Sequence, residues 1–559
     1  VKQNRLFNVL GFVVVFAMIL TACAPAATPA PAATVAPTAA PVAFKPLKQE
    51  VPDCKSGGNL RAIEAPDQYT IKFTFCDPEP AFLAKVSLAN FPIYDSDAYT
   101  AAGGDAAKIN DKPIGTGPYM VKEWVRGDHV TLEANPNYAG PAVKTKTLII
   151  RWSKEPAQRL LELRSGNVDL IDNPGPDDLA DIDKDATLKN YLRPTPNLLY
   201  LGIMRDTPPW DNEKVRQALA MVIDRGRLVK NFYAPGSMVA EQFVPPTVKP
   251  GYTDGFKWYS FDKEAGKKLL QEANFDFNKT YTLYYAERTR AYFPQPTKIA
   301  TDIQAQLAEV GIKIKLEVQE WGTYLPNVRA GKAELHLLGW GEDYPDATDW
   351  YDVFMMGTNL QFGKPFEDIM AQIKVGATST DSAARQKAYD ELNKLYKQHV
   401  PSIPLTHSAT FVAAKADVQG VKIGPYNENF EEMTTKTGKL IFSQNAEPNS
   451  LDCADETDGE SNRVCDQIFG KLYKFDYGTA AKTSPDLAEK CTANANLTEW
   501  TCTLRKGVKF SNGAALDATD AFVSFTASWD AKNPLHIGRV GDFQYFADFF
   551  GIINKPAPK

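Results

Sequence analysis

From Trp340 to Asp349 the chain reads Trp-Gly-Glu-Asp-Tyr-Pro-Asp-Ala-Thr-Asp, which crowds Glu342, Asp343, Asp346 and Asp349 into one short stretch. Carboxylates this close could form a glycosidase's acid pair, in which separation and contrasting proton affinities divide the chemistry. A solvated acidic turn after a buried strand is the plainer alternative, and residue types alone favour it. No second catalytic signature accompanies the cluster. The sequence holds no G-x-S-x-G, no H-E-x-x-H and no G-x-x-x-x-G-K-[ST]. His129, His336, His399, His407 and His536 are dispersed and no Cys-x-x-Cys occurs, so neither a metal nor another cofactor is expected. The 559 residues carry a formal net charge of -6 with scattered Lys and Arg, which leaves no electrostatic footprint for nucleic acid.

The elements that must position such a cluster alternate between helix and strand. Asp211 can cap a helix whose apolar positions Val215, Ala218, Leu219, Val222 and Ile223 follow a helical stripe. A second helix carries Ile299, Ile303, Leu307 and Val310, stops at Gly311, and yields to Ile-Lys-Ile-Lys-Leu-Glu-Val, which alternates from Ile312 to Val318 as a half-buried strand. A third helix is expected over 382–400 and a buried strand over 333–340, directly before the acidic run. Residues 69–75 and 500–510 alternate as strands of a more β-rich region. No segment repeats another at a fixed period.

The first residues set Lys2 and Arg5 ahead of an apolar run from Val9 to Leu20, the order of a signal peptide, and the run is too short to cross a bilayer. Leu20-Thr21-Ala22-Cys23 resembles a bacterial lipobox, which makes Cys23 the expected lipidation site after cleavage of 1–23; an ordinary secretory signal is the alternative. Residues 24–48, rich in Ala, Pro and Thr, read as an extended tether. With Cys23 lipidated, Cys54, Cys76, Cys453, Cys465, Cys491 and Cys502 remain of the seven cysteines. Six cysteines allow about 15 connectivities, and the expectation is three local pairs, 54 with 76, 453 with 465 and 491 with 502, each joining neighbouring segments. Zinc is the weaker rival.

Several stretches resemble the extracellular solute-binding proteins of ABC transporters, family 5, whose members bind dipeptides, oligopeptides, nickel complexes or some oligosaccharides. They are LRKGVKFSNGAALDATDAFVSF (504–525), APDQYTIKFTFCDPEPAFL (65–83), PIGTGPYMVKEW (113–124), NPNYAG (135–140), KVRQALAMVIDR (214–225), VGIKIKLEVQEWGTYL (310–325) and LLGWGEDYPDATDW (337–350). The resemblance implies an α/β, two-lobed periplasmic-binding-protein-like fold of type II with an extra β-rich subdomain. It divides the chain into 49–142 with 476–559 as the β-rich subdomain, 143–246 with 409–475 as the first lobe, and 247–408 as the second. It implies binding rather than catalysis, with Asp343 meeting a peptide's α-ammonium, Trp321 and Trp340 walling side-chain pockets, Tyr344 beside them, and Arg290 with Tyr292 placed for a ligand carboxylate. An oligosaccharide or nickel complex is the alternative cargo, and a glycoside hydrolase the alternative class. Permease and ATPase subunits are the implied partners of a monomeric, lipid-anchored, extracytoplasmic protein.

The order of these segments departs from the family. Ordinary members begin with the segment resembling 438–559 and continue with the one resembling 60–430, whereas here the opening part follows, joined through residues 434–437. The chain looks circularly permuted, which is physically permissible where old ends lie close together at the surface. A fusion of gene fragments is the duller explanation.

Overall fold

The computed structural model describes residues 44–55, 58–194, 196–356, 359–478 and 482–555. The expected signal segment, Cys23 and nearly all of the tether lie outside the described residues. Among the described residues no helix is long and apolar enough to cross a membrane.

Three sheets organise the body. One has seven strands, in the order Tyr119–Val125, His129–Ala134, Thr147–Trp152, Lys439–Gln444, Leu170–Asp172, Thr410–Lys415 and Leu188–Arg193. Its middle strand comes from the last quarter of the chain. Lys439–Gln444 runs parallel to both neighbours, with Leu440 opposite Leu148 and Phe442 opposite Ile150. All four of those side chains are buried and, lying two residues apart on each strand, they cover one face of the sheet's parallel centre.

A six-stranded sheet follows the order Met238–Val239, Ser402–His407, Asn197–Ile203, Leu335–Gly341, Thr280–Ala286 and Lys313–Gln319. The third sheet joins Leu47–Glu50, Leu60–Asp67 and Thr70–Phe75 to Glu499–Leu504 and Ala488–Ala493, so it too draws on both ends of the chain. Sheet membership cuts across the expected segment boundaries. Strands Tyr119–Val125 and His129–Ala134 pair in the seven-stranded sheet rather than the β-rich one, and Asn197–Ile203 with Met238–Val239 belong to the six-stranded sheet.

Local chemistry explains most element ends. The helix Glu213–Val222 is capped by Asn212, whose side chain accepts from the Lys214 N–H at 3.0 Å, so the cap sits one residue beyond the expected Asp211. Its stripe from Val215 to Ile223 is buried as expected. The helix Pro296–Glu309 gives way at Gly311, whose φ of 94° favours glycine. Beyond it Ile312 is buried, but Val318 is 49% exposed because its strand forms the sheet edge. The strand expected over 500–510 ends at Leu504; a turn through Gly507, with φ of 78°, replaces its second half.

All six described cysteines pair locally, Cys54 with Cys76, Cys453 with Cys465 and Cys491 with Cys502. Cys491 and Cys502 stand directly opposite one another on antiparallel strands. The helix Gln544–Phe550 inserts an aromatic face into the front part of the chain, with Phe546 at 5.9 Å from Phe91 and Phe550 at 5.8 Å from Phe75.

Beside the seven-stranded sheet, four buried charges close a ring. Asp172 accepts from Arg193 at 3.0 Å and from Arg463 at 2.8 Å, while Glu428 accepts from Arg463 at 2.9 Å and contacts Arg193 directly. Arg463 also donates to Gln444 at 3.0 Å, which ties the helix Gly459–Ile468 to the sheet's middle strand. The guanidinium of Arg463 is held above its ordinary pKa because the attraction of Asp172 and Glu428 outweighs burial. Replacing Arg463 by Ala should cost about 3–5 kcal/mol of stability, since two buried carboxylates lose a partner. Urea unfolding of the variant checks this, and an unchanged midpoint would remove the ring from the framework.

Candidate functional site

The strand Leu335–Gly341 lies inside the six-stranded sheet, antiparallel to Asn197–Ile203 and parallel to Thr280–Ala286. Its register ends at Gly341 opposite Asn197, and the Glu342 N–H donates to the Pro196 carbonyl at 2.9 Å. The acidic run therefore emerges at a strand's carboxyl end, where open α/β sheets commonly receive ligands.

Burial sorts the carboxylates. Asp346 receives Arg385 through both oxygens at 2.7 and 2.8 Å and accepts the Thr348 N–H at 3.0 Å, so it anchors the start of the helix Thr348–Met355. Asp349 is fully buried and accepts from the Asp343 N–H at 3.0 Å and the Trp340 indole at 3.3 Å. Burial, reinforced by the charge of Asp343, pushes its carboxyl well above the ordinary range. Glu342 accepts from Trp350 at 3.4 Å and from Tyr426 at 3.2 Å, yet burial still raises it to about 8. These three carboxylates hold the turn.

Asp343 differs. It is half-buried and lines a cavity of 1410 Å³. One oxygen accepts from the Tyr545 hydroxyl at 2.7 Å. Burial raises its carboxyl to about 7, the Tyr545 bond offsets part of that, and Asp548 adds to it. Among the described residues no Lys or Arg pairs with Asp343.

Of the other expected site residues, Trp321, Trp340, Arg290 and Tyr292 line the same cavity. Trp321 begins the helix Trp321–Arg329 and lies under two guanidinium groups, Arg288 at 5.4 Å and Arg290 at 4.9 Å from its ring. Trp340 meets Phe354 edge-on at 5.2 Å. Tyr292 packs on the backbone at Gly339, where an added Cβ would lie 2.3 Å from its ring. Tyr344 does not join them. It is buried outside the cavity lining, hydrogen-bonded to Thr348 at 3.0 Å, with its ring 4.9 Å from Phe549 and the Lys85 ammonium 5.5 Å away.

The facing wall went unnoticed in the sequence. Asn449, Asp458, Glu460 and Arg463 line it, with Tyr426 and Tyr545 nearby. Asp458 caps the helix Gly459–Ile468, accepting the Ser461 N–H at 2.8 Å. Glu460 is raised mainly by burial and then by Asp458, while Arg463 and Arg290 pull it down. That pattern sets Glu460 in the field of the arginines beside Trp321. Only the cap signal at Asp458 was available to sequence reasoning.

The family model for Bacterial extracellular solute-binding proteins, family 5 Middle, matches residues 24–362 and 482–541, more than half of the chain. The chain belongs to the family 5 solute-binding proteins. A di/tripeptide-binding protein of Pseudomonas aeruginosa is 28% identical over 66% of this chain and 70% of its own length. The dipeptide-binding protein of Escherichia coli is 26% identical over 67% of this chain and 71% of its own length. Among solved structures, HbpA2 from Haemophilus parasuis superposes with a TM-score of 0.59 at 28% identity, over 68% of this chain and 76% of that one. A dipeptide-binding protein from Pseudoalteromonas in complex with Met-Leu gives a TM-score of 0.60 at 23% identity, with the same coverage of 68% and 76%. The family 5 fold is two-lobed, and its members are binding proteins, not enzymes. A glycosidase's acid pair at the carboxylate cluster does not fit such a family.

Glu342 makes this cleft's framework sensitive to pH. Its value of about 8 in the fold lies above the unfolded value of about 4.3. The fold therefore prefers the protonated form: its contribution is complete below the unfolded value and is lost as pH rises to the folded one. Glu342→Gln, which imitates the protonated group, should raise the urea midpoint at about pH 8 and converge with wild type near pH 4.5. Parallel curves across that window would contradict the assignment.

Proposed function

We propose that this family 5 protein captures short peptides in the cleft and delivers them to the permease of an ABC importer. The observation that carries the reading is Asp343. It opens onto the large cavity with one oxygen fixed by Tyr545 and no cation among the described residues paired with it. A peptide's α-ammonium supplies the missing charge, and a charge-assisted bond in a partly desolvated cleft gains more than one in water. Trp321 and Trp340 give large apolar contact without demanding one side chain, which suits cargo of varied sequence. Arg290, beside Tyr292 and above Trp321, is available to the carboxylate end. The peptide specificities in the relatives' names support the same class.

In this reading Cys23 carries lipid, the 24–48 segment tethers a monomer outside the membrane, and lobe closure on the ligand presents the permease with its recognised shape. The segment order is read as a circular permutation. Gln49 and Asn554 meet on the same side chain, Asp530, each at 2.8 Å, so residues near the two described ends are neighbours.

The test is peptide affinity as a function of pH. In the empty cleft Asp343 holds its proton up to about 7, so a bound ammonium must displace it at lower pH. Affinity should rise as pH is raised toward 7, by up to about tenfold per unit, and fall above about 8 where a peptide amine loses its charge. Asp343→Asn should bind about ten- to a hundredfold more weakly and lose the low-pH limb. Calorimetry on a peptide identified by mass spectrometry of solutes released from the purified protein gives both readouts. Equal affinity in variant and wild type removes Asp343 from the amine contact.

A further inference from the structure

A peptide's single terminal carboxylate occupies one arginine of the cleft, yet two stand together. Arg288 and Arg290 both line the cavity, two residues apart on the loop that follows the strand Thr280–Ala286. Their guanidinium groups lie 5.4 and 4.9 Å from the centre of one indole ring, that of Trp321, so they are at most about 10 Å apart, the sum of those distances. Arg288 is exposed and Arg290 half-buried, so a solute in the cleft can reach both. Among the described residues neither guanidinium donates a hydrogen bond or forms an ion pair. Each presents five N–H donors in a planar fork.

Acids are near but already committed. Glu320 caps the helix Trp321–Arg329, accepting the Gly322 N–H at 2.7 Å, and Glu287 accepts from Thr297 at 3.1 Å. Across the cleft Asp458 accepts from Ser461 and Asn449 at 2.8 and 2.9 Å, and burial makes Glu460 hold its proton more firmly than an ordinary carboxyl. Partial burial and then the like charge of Arg290 oppose ionisation of Arg288 by more than Glu460, Tyr292 and Asp458 favour it. Two cations gathered on one aromatic wall without a counter-ion suit an anionic ligand, and stacking on Trp321 steadies both forks to receive it. We propose that Arg288 is a specificity-determining residue that takes a second ligand carboxylate, so that the cleft prefers peptides whose last residue is Asp or Glu. Such a residue carries its two carboxylates a few bonds apart, and each can accept a pair of N–H bonds from one guanidinium. The inference rests on the peptide reading, in which Arg290 meets the terminal carboxylate, and adds the identity of the C-terminal residue.

Calorimetry on the purified protein at about pH 7, where a glutamate side chain is ionised, tests it with Ala-Glu against Ala-Gln and Ala-Ala-Glu against Ala-Ala-Gln. Gln matches Glu in shape and lacks only the charge. At the length that binds better, the Glu peptide should bind about tenfold or more tightly than its Gln counterpart, and Arg288→Gln should bring that ratio to within about twofold of unity. Arg288→Lys, which keeps the charge but not the planar fork, should retain part of the preference. Asp343→Asn should weaken both peptides and leave the ratio standing. Equal affinity of the two peptides for the wild type overturns the inference and leaves the peptide reading intact. An Arg288→Gln variant that weakens both peptides alike, with the ratio preserved, also overturns it, because Arg288 would then serve the facing acids rather than the ligand. If no peptide of either length binds, the peptide reading falls and the inference falls with it.

Discussion

The ring of Asp172, Arg193, Glu428 and Arg463 is the constraint on which the rest of the cleft depends. Its members come from two strand ends, the 424–428 loop and the helix Gly459–Ile468, so segments far apart in sequence meet in one closed set of charge-assisted bonds. Such a ring is a poor source of net stability, because desolvating four charges cancels much of their attraction. Its value lies in geometry. An alternative register of the middle strand or a rotated helix would strand a buried charge, and the helix that carries Asp458 and Glu460 can dock in one orientation only. Arg159 adds to this by donating to the carbonyls of Asp172 and Asn173 at 2.9 and 2.8 Å, which fixes the strand end beneath the ring.

Against that fixed wall, the six-stranded sheet presents its acidic turn. Four carboxylates leave one strand end, and their fates follow from how much water and how many donors each retains. Asp346 is gripped by Arg385 through both oxygens and serves as a structural anchor. Asp349 and Glu342 are enclosed with neutral donors, so their protons are retained far above the usual range. Glu342 and Asp343 both line the cleft, but Asp343 is the more exposed of the two. A turn with several enclosed acids is a costly scaffold, and it is tolerable because proton uptake removes the charges that burial would penalise.

Much of this was legible in the sequence, and what was not has identifiable causes. The three disulfides could be paired because each spans a short segment, and Cys491 faces Cys502 simply because two alternating strands run antiparallel. The buried strand before the acidic run and the stripe on Glu213–Val222 followed from periodicity. Asn212 displaced Asp211 as cap because neighbouring capping residues compete and only the backbone geometry chooses between them. Strand membership was harder to see. Tyr119–Val125 alternates equally well in either sheet, and its partner is decided by long-range packing. Tyr344 was drawn into the site by adjacency to Asp343, although the turn points successive side chains in different directions. Tyr545 stayed hidden for the opposite reason, lying 202 residues from the carboxylate it meets.

The two walls are not independent, and the link between them is Tyr426. Its hydroxyl donates to Glu342 on the six-stranded side, while two residues further along the chain Glu428 sits in the charged ring. Above about pH 7 the unliganded Asp343 is ionised, and its charge strengthens Glu342's hold on its proton. A protonated Glu342 is a weaker acceptor for Tyr426 than a carboxylate, so the bond across to the 424–428 loop loosens. Spatial intermediacy alone does not establish coupling. Here the sign follows from charge and hydrogen bonding: above about pH 7 an ammonium bound at Asp343 cancels that field and restores the bond, whereas at lower pH Asp343 is already neutral and the same ligand leaves the bond unchanged.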